Sequence, residues 1–110
     1  MFINAGIQKF IRGPISLNQL LEFSKFGVNA VRIFLYIRMQ EGILVSEQLL
    51  DKQEHTFIKL DNKNLETTVG LHKSNKWPRL RALEENGLIK LRVNGAGKAP
   101  EAKIIAPRLH

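Results

Sequence analysis

The chain contains no cysteine, which excludes disulfides and thiolate metal sites and fits a reducing interior. It has no run of 18 apolar residues, so no segment reads as a membrane span. The most apolar stretch, Ala30–Met39, is interrupted by Arg32 and Arg38 and reads as a buried helix. The opening "MFINAGIQKFIRG" lacks the charged start, continuous apolar middle and small-residue cleavage site of a secretory signal. A cytoplasmic location is the resulting expectation. Tyr and Trp occur once each, and most of the six Phe fall in apolar helical stretches. His55, His72 and His110 are scattered without metal-ligand spacing. Glu84 and Glu85 are adjacent and therefore point about 100° apart on a helix, which rules out a paired acid/base site there. No nucleophile–base–orienter set is recognisable, so neither an enzyme, a cofactor nor a metal is expected. "GAGKAP" lacks the Lys-Ser/Thr ending and following helix of a phosphate-binding loop.

What is present is a one-domain chain of 110 residues, 44% apolar, with a net charge of +7 that is unevenly spread. Residues 1–54 hold six Lys/Arg against five Asp/Glu, whereas residues 55–110 hold eleven against five. A basic C-terminal half points to a polyanionic partner, nucleic acid before an acidic membrane.

Hydrophobic spacing divides 1–55 from 56–110. In "GPISLNQLLEFSKFG", Ser16 caps a helix, Gln19 completes a Ser-x-x-Gln box, and Gly27 supplies the stop. "NAVRIFLYIRMQEG" is apolar almost all round, as a central core helix should be, with Asn29 as cap and Gly42 as terminator. "ILVSEQLLDKQEHT" is ambiguous, and Ser46 would cap a short helix through Lys52. "TFIKL" alternates as a short strand. Asp61 or Asn62 then opens a short helix closed by Gly70. A second helix ends at Asn86-Gly87, and "LIKLRV" and "EAKIIA" flank the turn-rich "NGAGKAP" as a β-hairpin with a basic tip. The fold class is α+β, mostly helical, with a small three-stranded antiparallel sheet completed by "TFIKL".

This order resembles the winged helix-turn-helix superfamily, and more narrowly its small standalone bacterial, plasmid or phage members. The matching residues are Gly13-Pro14, Val69-Gly70-Leu71, Lys76, Leu80–Glu84, Gly87-Leu88-Ile89, and Gly97 with Pro100, across roughly 13–106. The chain departs from that pattern in a longer 43–55 segment and in Pro78. The resemblance implies sequence-specific binding of double-stranded DNA by a recognition helix over 74–86 and a wing over 90–103. The product would be a transcriptional regulator, or a plasmid or phage replication or partition factor. It would be nucleoid-associated, with a homodimer through the N-terminal helices. A protein-interaction adaptor and an RNA-binding protein are the alternatives.

The helical wheel sets Trp77, Leu80 and Leu83 on the core side and Ser74, Asn75, Pro78, Arg79 and Ala82 opposite. Because Arg and Asn pair bidentately with guanine and adenine edges, Arg79 and Asn75 are the expected base readers. Lys73, Ser74 and Lys76 are assigned to phosphate, and Arg81 borders the other edge. On the wing, Lys90 and Arg92 point away from the core and Lys98 sits at the tip. With Lys103, they would follow backbone phosphates or enter a minor groove. Pro78 decides where the helix begins. A start at His72 or Lys73 would set Pro78 against the Ser74 carbonyl at a cost of about 3 kcal/mol. With Asn75 as cap, Pro78 is the third helical residue, whose N–H would have no intrahelical partner anyway. The gapless resemblance favours the earlier start and the backbone chemistry the later one, which we adopt.

Overall fold

Ser16 accepts the Gln19 backbone N–H at 3.2 Å and so caps helix α1 (Leu17–Ser24). The computed structural model describes residues 15–46, 57–95 and 97–105, except for the side chains of 43–46. The expected short helix over 46–52 and the matched Gly13-Pro14 therefore lie mostly outside the described residues. Gly27, at φ 98°, takes the left-handed conformation between α1 and α2 (Val28–Ser46). Helix α2 is the structural centre. Ala30, Ile33, Phe34, Tyr36, Ile37 and Met39 are all buried, and Phe34 meets Phe23 of α1 with ring centroids 4.8 Å apart.

Three expectations about these helices are corrected, the first being Asn29, which is the second residue of α2 and not its cap. Gly42 does not terminate α2, which runs on through Ser46, so Ser46 lies within this helix. A glycine costs a helix interior only about 1 kcal/mol relative to alanine, and the packing of an apolar helix outweighs that. Gln19 is 2% exposed, and its side-chain oxygen accepts from Arg38 Nη2 at 2.6 Å. Arg38 Nη1 also pairs with Glu41 Oε1 at 2.7 Å, making a buried charged group that locks α1 to α2.

Strand β1 is only Ile58–Lys59, shorter than "TFIKL" predicts. Leu60 continues the pairing by donating its N–H to the Pro100 carbonyl. Asp61 caps α3 (Asn62–Val69) by accepting the Asn64 N–H at 3.1 Å, and Gly70 closes it in the left-handed conformation at φ 73°. Gly70 and Leu71 N–H groups bond the Glu66 and Leu65 carbonyls, and the Leu71 side chain is buried. Arg32 of α2 donates to the Gly70 carbonyl at 3.1 Å, fixing this turn to the central helix.

A short 3-10 turn, Lys73–Asn75, then feeds α4 (Lys76–Glu85). Pro78 is the third residue of α4, as its missing N–H requires. Asn75 holds the cap position with no side-chain capping bond, and the third helical residue, Pro78, has no N–H to offer one. Gly87, at φ 76°, follows the end of α4.

Strands β2 (Ile89–Arg92) and β3 (Glu101–Ile104) complete an antiparallel sheet in the order β1-β3-β2. Ile58 faces Ala102 across β1/β3, and Leu91 faces Ala102 across β2/β3. Helices α2 and α4 cover one face of this sheet, burying Ile58, Ile89, Ala102 and Ile104 in the same cluster as Leu80 and Leu83. The observed class is α+β, mostly helical. Among the described residues, no helix is long and apolar enough to cross a membrane.

Candidate nucleic-acid interface

Helix α4 carries the expected reading residues, and its phase decides which of them face solvent. Leu80 and Leu83 are fully buried, and Lys76 stands four and seven residues before them, on the same face. Lys76 is accordingly 4% exposed and donates from Nζ to the Leu60 carbonyl at 3.1 Å. Its stem lies in the core and its amine ties α4 to the β1–α3 junction, so it is not the exposed phosphate contact expected. Burial pushes its amine down from the ordinary 10.5, and the nearby Asp61 carboxylate opposes that shift.

Arg79 is also placed otherwise. It is half-buried and donates from Nη1 to the Phe26 carbonyl at 2.9 Å, joining α4 to the α1–α2 connection. The expected base reader is thus committed to the backbone 53 residues earlier in the chain.

The exposed side of this segment carries Lys73, Ser74, Asn75, Pro78, Arg81 and Glu85. Ser74 is partly engaged locally. His72 Nδ1 accepts its backbone N–H at 3.2 Å and lies 2.8 Å from its Oγ. The guanidinium carbon of Arg81 sits 5.3 Å from the centroid of the half-buried Trp77 ring, which orients this exposed cation along the helix. The helical wheel sets Arg81 at an edge, and its i+4 relation to Trp77 is the sequence signal for this contact.

The hairpin loop lies beside this surface. An open cleft runs between the first turns of α3 and α4 and the loop, lined by Asn62, Lys76, Trp77, Gly97, Lys98 and Pro100 among others. Lys98 is exposed at its rim. The cleft brings the loop and the first turn of α4 to one side of the molecule.

The strand cations lie elsewhere. Strand alternation turns Ile89 and Leu91 toward the helices and Lys90 and Arg92 away from them. Lys103 faces Lys90 in register and belongs to the same outer face, as does Arg92, which faces Glu101. Arg92 pairs with Glu101 through Nε and Nη2, each 2.7 Å from Oε1. The bond from Arg92, followed by one from Asn94, holds the Glu101 carboxyl below its usual range. Sequence reasoning missed Phe57, whose ring centroid is 4.3 Å from the Arg92 guanidinium carbon and 5.6 Å from Lys103 Nζ. Its alternation with Ile58 was the signal.

Among the described residues, no group of three or more His, Cys, Asp or Glu side chains could hold a metal ion. His55 and His110 lie outside the described residues. Compared with protein-family models, curated proteins and solved structures, the chain matches none of them.

Proposed function

We propose that this chain is a winged helix-turn-helix protein that binds double-stranded DNA, with α4 as the recognition helix and the β2–β3 loop as the wing. The cleft shared by Trp77 and the Gly97–Pro100 loop carries this reading, because it sets the loop beside the first turn of α4. A helix presented in this way fits the major groove, while a flanking loop reaches neighbouring phosphates. Asn75 is the base-reading candidate and Arg81 the second, replacing Arg79. Lys73, Ser74 and Lys98 serve phosphate. In this reading the protein acts by occupancy, as a transcriptional regulator or a replication or partition factor on the nucleoid.

Operators are commonly read by two-fold dimers. The exposed Leu17 and Leu21, one turn apart on α1, and Val28 nearby support pairing through the N-terminal helices. These same side chains favour the adaptor alternative if duplex binding is absent.

The test is binding to randomised duplex DNA at two salt concentrations, comparing wild type with Asn75→Ala, Arg81→Ala and Lys98→Ala. Lys98→Ala should weaken binding to every sequence and reduce the salt slope by about 1. Asn75→Ala should cost about 1–3 kcal/mol and relax preference at one base pair. Equal, negligible binding by all four proteins rejects the DNA reading.

A further inference from the structure

The outer face of the sheet is a second basic surface, and the duplex interface above does not use it. The register sets Lys59, Glu101 and Arg92 in one cross-strand row. The next row has Lys103 facing Lys90, with Phe57 preceding β1 beside Lys103. Four cations therefore surround one carboxylate, and that carboxylate is already held by Arg92.

Lys90 and Lys103 are directly opposed like charges, an arrangement that destabilises an antiparallel pair. Among the described residues, neither they nor Lys59 forms an ion pair. An anion between the two ammonium groups would remove that repulsion. Beside them, Arg92 lies over Phe57 and its side chain is 54% exposed, which leaves guanidinium surface open to solvent. Bases of single strands stack on aromatic rings and on guanidinium planes alike. A duplex keeps its base faces inside its own stack, and an acidic peptide has phosphate-like charge without a base to stack.

We propose that this outer face binds single-stranded nucleic acid, with phosphodiester oxygens between Lys90 and Lys103 and a base against the Arg92–Phe57 stack. Lys59 extends the cationic track along β1. With neighbouring strands about 4.8 Å apart, the three-stranded face is only about 10 Å across. It therefore engages a short stretch of strand, with a salt slope set by the few phosphates it contacts. Because the face lies opposite α4, single strand and duplex bind at the same time without competing.

The experiment measures anisotropy of labelled oligothymidylate and oligouridylate of about 12 nucleotides. An abasic strand of equal length, polyglutamate as competitor and a duplex complete the comparison. Wild type should bind the base-bearing strands, the ratio of the two identifying DNA or RNA as the source. The double variant Lys90→Gln/Lys103→Gln should weaken that binding at least tenfold and lower the salt slope by up to about 1.4, at about 0.7 per lost phosphate contact. Its duplex affinity should not change. Its resistance to urea should equal or exceed wild type, because a like-charge pair has been removed. Phe57→Leu should weaken the base-bearing strands and leave the abasic strand unaffected. The proposal is overturned if the double variant binds single strands normally, if the abasic strand or polyglutamate matches the base-bearing strands, or if duplex and single strand compete. Loss of duplex binding in the Asn75 and Lys98 variants with single-strand binding intact separates the two surfaces and supports the proposal.

Discussion

Replacing Lys76 by methionine should cost stability and leave duplex affinity unchanged, the reverse of what an exposed phosphate-binding lysine would do. Lys76 is 4% exposed, and methionine keeps most of its unbranched stem while removing the donor to Leu60. A hydrogen bond from a charged group contributes about 1.5–3 kcal/mol, and the carbonyl left behind is next to Asp61, where α3 begins. Relief from burying an ammonium group offsets part of this, leaving a net loss on the order of 1–2 kcal/mol at neutral pH. For a domain of this size, that lowers Tm by about 4–8 °C per kcal/mol. Urea titration should show a lower midpoint at an unchanged slope. The pH dependence has a definite sign. The folded amine releases its proton below 10.5, whereas the unfolded chain retains it to about that value. Between the two the unfolded state binds more protons, so wild-type stability rises with pH toward 10.5, and Lys76→Met should lack that rise. A variant of wild-type stability whose duplex binding had lost about one unit of salt slope would refute the buried assignment.

Arg79→Met should loosen the α1–α2 connection by removing the donor to Phe26, costing about 1–2 kcal/mol in this half-buried site. Hydrogen exchange should accelerate around residues 24–28 more than at the sheet. Gly70→Ala should destabilise by about 1 kcal/mol or more, read by urea midpoint, because φ 73° is unfavourable to a Cβ even though the nearest atoms, on Arg32, are 3.9 Å away. Glu101 is held below the usual 4.5 first by Arg92, so its contribution is present above 4.5 and is lost as pH falls through its lower folded value. Glu101→Gln should flatten that acid limb, and added salt should shrink the difference because the pair is partly exposed.

Local chemistry made much of this fold legible. Ser16, Asp61 and Gly70 act through backbone atoms within a few residues, so their caps could be read directly. Pro78 also located the start of α4, since a missing N–H is tolerated only in the first turn. Three short alternating segments marked the strands of the sheet, though not their order. Less legible were contacts whose partners are distant in the chain. Gln19 turns to Arg38, Arg79 to Phe26 and Lys76 to Leu60, and no local pattern specifies those partners. Even so, the spacing of Lys76 with Leu80 and Leu83 placed it in the core phase. Its long apolar stem allows a cation to occupy that position. Phe57 was obscured because the strand was read for its pairing and not for the side it presents to solvent.

The order of strands also constrains when the protein can acquire its final form. β3, the last described strand in the chain, is the middle strand of the sheet, and Ile58 must wait for Ala102 before β1 has a neighbour. Helices α1 and α2 meet through contacts close in sequence, whereas the sheet closes across 44 residues. During synthesis, the helices emerge with β1 and β2 both still unpaired, and residues 101–104 complete both neighbours together. Closure of the sheet is therefore a late, cooperative event, and a chain halted before β3 exposes Ile58, Leu60 and Ile89 to association with other chains.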